Sequence, residues 1–343
     1  MTDQLVETML NELPELVEVP DFGSVRAEAR RRKRARRSAF AGAAAAVCIG
    51  GVVAATALLP ADPVEVATAP VEQPSSTLAP ANQTTVAEPD VSTTSVVVSP
   101  GSTVDDILSR LAIGLDDVSA ADLLASLEAG TVESRFLPRD TDALPQHDGF
   151  RSVYEGLLAP GTYDLPSGEP PAVVLETLAA EMERRFDDVL AESSGLPVVG
   201  GADGRVVSEY EVLVVASLVE AEAVLDVDRP FVAQVIYNRL EAGVALGLDS
   251  TAAYAAGKPA RELVSDDLNS ASPFNTRNIE NVGLPPTPIG APGVASLEAA
   301  LAPAGGDWFF YVTADEDGGF AFTSTAEEHA EAVQVCRERN LGC

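Results

Sequence analysis

The chain has 343 residues, with 53 Asp and Glu, 22 Lys and Arg and two His, so its formal net charge is −31. With 46% hydrophobic residues it can build a sizeable core within one or two domains. The negative charge argues against a nucleic-acid partner, because few cations are present to neutralise phosphates. Three cysteines without a C-x-x-C pair and two histidines predict no structural metal site and leave proton chemistry mainly to carboxylates.

The N-terminal part has the charge pattern of a membrane anchor. Eight basic residues lie within residues 26–37, and residues 38–59 form 22 positions without a charge. A helix of about 20 apolar residues crosses a bilayer, and basic residues stay in the cytoplasm. We therefore predict a cytoplasmic tail at residues 1–37, a transmembrane helix at 38–59 and an extracytoplasmic remainder. The alternative is a cleaved signal peptide, against which the 37 residues before the apolar run argue.

The segment that follows the apolar run is rich in Pro, Thr, Ser, Ala and Val and contains no aromatic residue. We predict a disordered linker over residues 60–94, because such a composition buries too little apolar surface to offset its ordering entropy. A strand is predicted from Ser95, and helices are predicted from Ser102 or Thr103 and from Ser119. These elements predict a small α+β module over residues 95–168.

Residues 169–343 are predicted to form a second α+β domain. Predicted helices cover residues 172–192, 208–225 and 230–242, the last with Asp228 as its cap, and loops rich in Gly, Pro, Ser and Asn cover 243–293. A hairpin is predicted from residues 308–313 and 320–323, before a final helix at 325–340. Cys336 and Cys343 could form a disulfide if Gly342 makes a turn.

Glu220 is the strongest candidate in the sequence for a residue that takes part in chemistry. Three of the four residues that precede it in ASLVEAE are apolar, which predicts a helix that is buried on more than one face. A carboxylate there either finds a partner or has its pKa raised by desolvation, as a general acid requires. Glu222 lies about 200° further round the helix, so one of the two carboxylates must point elsewhere, for example to Arg239 or a backbone donor. The alternative is that both carboxylates form structural ion pairs.

The loops after this helix contain polar groups that suit a sugar ligand. They are Asn238, Asp249, Ser250, Thr251, Tyr254, Ser272, Asn275 and Thr276. Long structured loops of this kind serve function more often than packing. The sequence therefore indicates that these loops have a binding function and are not only a solvated linker.

Five ordered motifs lie within residues 95–340: VVASLVEAEA at 214–223, VAQVIYNRLEAGVAL at 232–246, LDSTAAY at 248–254, SPFNTRNIENVGLPPTPIGAPGVASLEAALAP at 272–303 and the segment that ends at His329. With these motifs, residues 95–340 resemble the endolytic murein transglycosylase family, also called the YceG-like family. Upstream, YEGLLAPGTYDLPSG at 154–168 also resembles the family, and residues 95–168 resemble its LysM-like module.

This resemblance implies a membrane-anchored enzyme that cleaves peptidoglycan between N-acetylmuramic acid and N-acetylglucosamine and leaves 1,6-anhydro ends. Glu220 would be its general acid and base, without a metal or cofactor, and no second carboxylate is needed. Asn238, Asp249, Ser272, Asn275 and Thr276 would line the glycan groove. The implied partners are glycan strands, the inner membrane and the cell-wall synthesis machinery.

Several positions depart from the family pattern, namely Ala221, Gly247, Leu248 and Phe320. They leave open a second reading, an inactive scaffold that binds peptidoglycan without cutting it. A third reading is a hydrolase, which needs a second carboxylate near Glu220, and Asp249 is the local candidate. His329 is expected to pack or form hydrogen bonds and not to act directly.

Overall fold

A computed structural model describes residues 92–137, 152–200 and 204–343. The predicted cytoplasmic tail, transmembrane helix and nearly all of the predicted linker lie outside these residues. Within the described residues, none of the helices combines the length and the hydropathy that a membrane crossing requires.

The described chain begins with a strand–helix–helix–strand unit. Its elements are β1 (Thr93–Val98), α1 (Val104–Gly114), α2 (Ala120–Glu128) and β2 (Gly161–Pro166). The two strands pair antiparallel, with Val96 opposite Tyr163. Strand β1 starts two residues before the predicted position, inside the predicted linker, because Thr93 and Thr94 pair with Pro166 and Leu165. That this unit is LysM-like stays a prediction.

Both helices of this unit begin where their capping residues predict. Thr103 and Ser119 each accept a hydrogen bond from the backbone N–H three residues later, and Asp106 and Asp122 accept one in return. Such reciprocal caps satisfy backbone donors that a helix start would otherwise leave open. The predicted helix starts are therefore confirmed.

The second part is predominantly helical. Its helices are α3 (Pro171–Glu192), α4 (Glu209–Glu222), α5 (Arg229–Ala242), α6 (Asp249–Ala256), α7 (Ser265–Leu268), α8 (Val294–Leu301) and α9 (Ala326–Glu338), with a 3-10 turn at Ala260–Glu262. Its strands are β3 (Val198–Val199), β4 (Arg205–Val206), β5 (Phe310–Thr313) and β6 (Phe320–Thr323). Strands β5 and β6 form the predicted antiparallel hairpin. The predicted α+β class is confirmed for the described residues.

Helix α4 lies at the centre of this part. Every residue from Val212 to Val219 is buried, and α5 and α8 pack against it. A helix that is apolar all round belongs inside a core, so the predicted burial on more than one face is confirmed. Helix α3 contacts both α2 and α8, and it therefore connects the first unit with this core.

Two local predictions were wrong. Asp228 stands at the N-cap position of α5, but its carboxylate accepts a hydrogen bond from Phe320 N (2.9 Å) and none from the helix start. Residues 243–293 contain α6, α7 and the 3-10 turn where loops were predicted. The stretch at 249–256 is rich in Ala and ends at Gly257, so local helix signals were present there.

Helix α9 begins at its predicted cap and ends at Glu338, two residues before the predicted end at residue 340. Thr325 caps α9 together with Glu328, and a disulfide joins Cys336 to Cys343. Asn340 and Gly342 have left-handed backbone conformations, which turn the chain back toward Cys336. The conditional disulfide prediction is confirmed.

Candidate active site

Glu220 lies in the last turn of α4, and three hydrogen-bond donors converge on its carboxylate. Arg229 Nη2 lies 3.1 Å from Oε1, while Gly293 N (2.9 Å) and Ser296 Oγ (2.8 Å) contact Oε2. The Glu220 side chain is 10% exposed, so it is shielded from bulk water but still accessible. A charge in such a place needs paired donors, and all three are present.

Arg229 and Ser296 were not predicted from the sequence, where Arg239 was the cation considered for one of the two carboxylates. Arg229 opens α5, where its guanidinium contacts Glu220, Ser296 Oγ (2.5 Å) and Asp226 Oδ1 (3.3 Å). The buried Arg239 instead donates to the carbonyls of Leu246 and Phe309. Arg229 is the first residue of α5 and Arg239 lies in its last turn. Spacing in the sequence does not show which end of the helix faces Glu220.

Glu222 points to a separate polar cluster. It accepts hydrogen bonds from Ser250 Oγ (2.6 Å) and Tyr311 Oη (2.7 Å). Burial, and then the adjacent Glu222 carboxylate, hold the pKa of Tyr311 well above its usual range, so its hydroxyl remains a donor. The predicted divergence of the two carboxylates is therefore confirmed.

A turn from the first unit forms a wall beside Glu220. Gly101 N donates to Ala291 O (2.8 Å), and Ala291 N donates to Ser102 O (2.9 Å). A Cβ placed on Gly101 would lie 3.9 Å from Glu220 Cγ, and one on Gly293 would lie 3.2 Å from Glu220 Oε2 and 3.5 Å from Pro100 Cγ. The Pro100–Gly101 turn and the 290–293 loop thus meet at the carboxylate.

Three of the predicted groove residues use their side chains inside the protein. Asn238 Nδ2 donates to the carbonyls of Gly306 (3.0 Å) and Trp308 (2.8 Å). Asn275 is fully buried and donates to Leu268 O and Ser270 O. Thr276, 1% exposed, accepts from Leu248 N (3.1 Å) and contacts Thr251 Oγ1 (2.9 Å). These bonds shape the loops around the site.

The other two predicted groove residues are more accessible. The Asp249 side chain is 59% exposed and forms an ion pair with Arg277. Ser272 is partly exposed, and its hydroxyl accepts a hydrogen bond from Phe274 N (3.3 Å). The structure therefore brings Asp249 and Thr276 close together through neighbouring residues, while Asn238 lies against the 306–308 segment. Glycan contact by these five residues stays a prediction.

Three of the residues that depart from the family pattern, Gly247, Leu248 and Phe320, fit their surroundings in the structure. Gly247 has a left-handed backbone (φ +66°) and donates to Thr276 O (2.8 Å). Leu248 is 3% exposed, and the Phe320 ring packs against Tyr311 with centroids 4.9 Å apart.

Within residues 92–137, 152–200 and 204–343, no group of three or more His, Cys, Asp or Glu is placed to hold a metal ion.

The sequence and the α+β fold find counterparts among known proteins. The model of the YceG-like family matches residues 73–335. This chain therefore belongs to the YceG-like family, as the motifs predicted.

Two curated relatives carry the name endolytic murein transglycosylase. The Bacillus subtilis (strain 168) protein is 36% identical over 180 residues, which are 52% of this chain and 47% of that protein. The Streptococcus pneumoniae serotype 2 protein is 29% identical over 227 residues, which are 64% of this chain and 39% of that protein. In both alignments this chain spans less than half the length of the curated relative.

A solved structure shares the fold. The crystal structure of a yceG-like protein from Listeria monocytogenes superposes with a TM-score of 0.57 at 28% sequence identity. The match covers 69% of this chain and 75% of that chain.

Proposed function

We propose that this protein is a lytic transglycosylase that cleaves the glycan strand of peptidoglycan, with Glu220 as its general acid and base. The observation that carries the proposal is the Glu220 carboxylate, which is 10% exposed and surrounded by three donors. The names of the two curated relatives support the substrate class. Cleavage falls between N-acetylmuramic acid and N-acetylglucosamine.

One carboxyl group is sufficient for this reaction. Glu220 first protonates the glycosidic oxygen as the bond between that oxygen and C1 of the muramic residue breaks. The resulting carboxylate then takes the proton of the C6 hydroxyl, whose oxygen bonds to C1 and closes the 1,6-anhydro ring. The proton lost in the first step is thus recovered in the second, and no water is consumed. The use of a single carboxyl group agrees with the position of Glu222, which is bonded to Ser250 and Tyr311 and directed away from Glu220.

The donors around Glu220 have defined roles in this proposal. Arg229 stabilises the carboxylate that forms when the proton leaves, and Gly293 N and Ser296 Oγ hold Oε2 in place. The Pro100–Gly101 turn limits the space beside the carboxylate, so that a sugar approaches from one side. Asp249 and Ser272 have the exposure that a groove residue needs.

We predict that Glu220→Gln abolishes cleavage and that Glu222→Gln preserves it. The two variants make the same change two positions apart on α4, and only the first removes the transferable proton. Loss of a general acid lowers the rate by about 10²–10⁴-fold. The measurement is mass spectrometry of muropeptides after incubation of purified peptidoglycan with the full chain.

The products separate the alternatives. Anhydro ends from the parent and from Glu222→Gln, with none from Glu220→Gln, support the proposal. Reducing muramic ends would make the protein a hydrolase, and Asp249→Asn would then test the second carboxylate. A folded parent that binds peptidoglycan and releases no fragment would be a scaffold.

The membrane location is part of the same proposal. The basic block at residues 26–37 and the uncharged run at 38–59 support a single span with the N-terminus in the cytoplasm and Glu220 outside. Nascent glycan beside the synthesis machinery would then be within reach. Protease accessibility of residues 92–343 in spheroplasts tests the orientation, and protection of these residues would contradict it.

A further inference from the structure

The Ser296 hydroxyl connects Arg229 with Glu220 inside the protein. Ser296 is fully buried in the first turn of α8, accepts from Arg229 Nη1 (2.5 Å) and donates to Glu220 Oε2 (2.8 Å). Arg229 Nη2 reaches the other carboxylate oxygen directly, at 3.1 Å. Guanidinium, hydroxyl and carboxylate thus form a closed ring in which the planar guanidinium sets the spacing.

The three groups that contact the Glu220 carboxylate differ in what they can do. A guanidinium and a backbone N–H only donate hydrogen bonds, whereas a hydroxyl donates and accepts. A carboxylate accepts the Ser296 hydrogen, and a protonated carboxyl can donate its own hydrogen to Ser296 Oγ after that hydroxyl rotates. Ser296 is therefore suited to contact Glu220 in both protonation states.

We propose that Arg229 and Ser296 are positioning residues that keep the Glu220 carboxyl group in one place as it loses and regains its proton. This inference rests on the proposed function, because it concerns the same proton. No covalent bond changes at either residue: the proton moves between Glu220 and the sugar, and Ser296 only reorients its hydrogen. Arg229 helps to hold the carboxyl group because its forked guanidinium contacts both Ser296 and Glu220.

Charged and neutral groups contact this ring from different elements. Arg229, from α5, faces the carboxylate, and Asp226 lies behind it at 3.3 Å from Nε. Helix α8 and the 290–293 loop contribute the neutral donors Ser296 and Gly293. Lys in place of Arg229 keeps the charge but places its donors on a single nitrogen and cannot reproduce the fork in which Nη1 contacts Ser296 and Nη2 contacts Glu220, so Arg229→Lys separates the effect of charge from that of geometry.

The test compares steady-state cleavage of isolated glycan strands by the full chain and its variants. Ser296→Ala is expected to lower kcat about 10–100-fold with KM changed less than about twofold, because a displaced catalytic group costs rate and not binding. Arg229→Lys should show the same split. Ser296→Thr keeps the hydroxyl and should recover most of the rate.

The matched control is Ser324→Ala, which removes another buried serine hydroxyl that bonds to a carboxylate, that of Asp307 at 3.2 Å. It should lose stability and keep its kcat. A Ser296→Ala protein with the kcat of this control overturns the inference, as does Arg229→Lys at the parent's rate. If Ser296→Thr does not fold, Arg229→Lys decides. Absence of anhydro products from the parent would overturn the proposed function and this inference with it.

Discussion

At the scale of single residues, Glu220 and Glu222 show how position on one helix separates two similar carboxylates. Glu220 faces Arg229, Gly293 and Ser296, whereas Glu222 is held by Ser250 and Tyr311. The first set includes a full cation and the second consists of hydroxyl donors. The role proposed for Glu220 therefore rests on its neighbours and not on its residue type.

His329 is a second residue whose surroundings determine its behaviour. Its ring stacks on Phe310 with centroids 5.0 Å apart, and its buried Nδ1 has no hydrogen-bond partner in the described part of the chain. Burial, and then the nearby Arg239 cation, lower the pKa of His329 to about 4. The folded protein therefore holds this imidazole neutral, which agrees with the expected packing role.

We predict that His329 makes the protein less stable as the pH falls from about 6.5 to about 4. In this range the unfolded chain binds a proton at His329 and the folded protein does not, so protonation favours unfolding. With allowance for partial exposure, the loss is on the order of 1–2 kcal/mol. His329→Phe keeps the ring stack and removes the titration. Denaturant unfolding at several pH values should give curves that converge toward neutral pH and diverge in acid, and parallel curves would contradict the prediction.

At the scale of elements, the site is made where four segments meet. Helix α4 supplies Glu220, the start of α5 supplies Arg229, and the loop before α8 approaches the turn between β1 and α1. The last approach is very close, because a Cβ on Gly290 would lie 2.7 Å from Gly101 O. Only a glycine allows the two backbones to lie this near each other.

We predict that Gly290→Ala lowers activity more than its loss of stability explains. The added methyl group must displace the Pro100–Gly101 turn, which lies against Glu220, and such overpacking costs about 1–3 kcal/mol. Gly243→Ala is the control: that glycine has a left-handed backbone with open space around it, so its substitution costs about 1 kcal/mol without touching the site. Thermal unfolding and cleavage rate are measured on both. If Gly290→Ala and Gly243→Ala lost the same stability and cleaved at the same rate, the turn would not shape the site.

At the scale of the whole described molecule, the first unit and the helical part are joined by a buried carboxylate. Glu155 is fully buried; its Oε1 accepts from Val104 N (3.0 Å) at the start of α1, and its Oε2 accepts from Tyr254 Oη (2.9 Å) on α6. Helix α3 adds apolar contacts to α2 and α8. We expect such contacts to make the two parts one cooperative unit.

We predict that Glu155→Ala destabilises both parts together, by about 2–4 kcal/mol, because it removes two buried hydrogen bonds, from Val104 N and Tyr254 Oη. Unfolding should remain a single transition, shifted to lower denaturant concentration. Glu183→Ala is the matched control, since Glu183 also accepts from two donors, Ser134 Oγ and Arg135 N, but at a partly exposed position where water can replace it. Two separate transitions, or equal losses in the two variants, would contradict this interpretation.

Local structure was largely determined by the sequence itself. The capping residues Thr103, Ser119, Ser208 and Thr325 start their helices where the pattern predicts, because a cap bonds to a backbone group only three residues away. The burial of α4 and the divergence of Glu220 and Glu222 also followed from helix periodicity. Family membership followed from ordered motifs that are short and contiguous.

The partners of the site were decided by the tertiary structure alone. Arg229 and Ser296 lie nine and 76 positions from Glu220, and nothing in their local sequence distinguishes them from Arg239 or from other serines. Asp228 was expected to cap α5, yet its carboxylate bonds to Phe320 N, 92 positions away. Asn275 and Thr276 were expected in the groove, and the folded loops direct their side chains inward. Hydrogen bonds between distant segments depend on how helices pack, and periodicity within one segment carries no information about that packing.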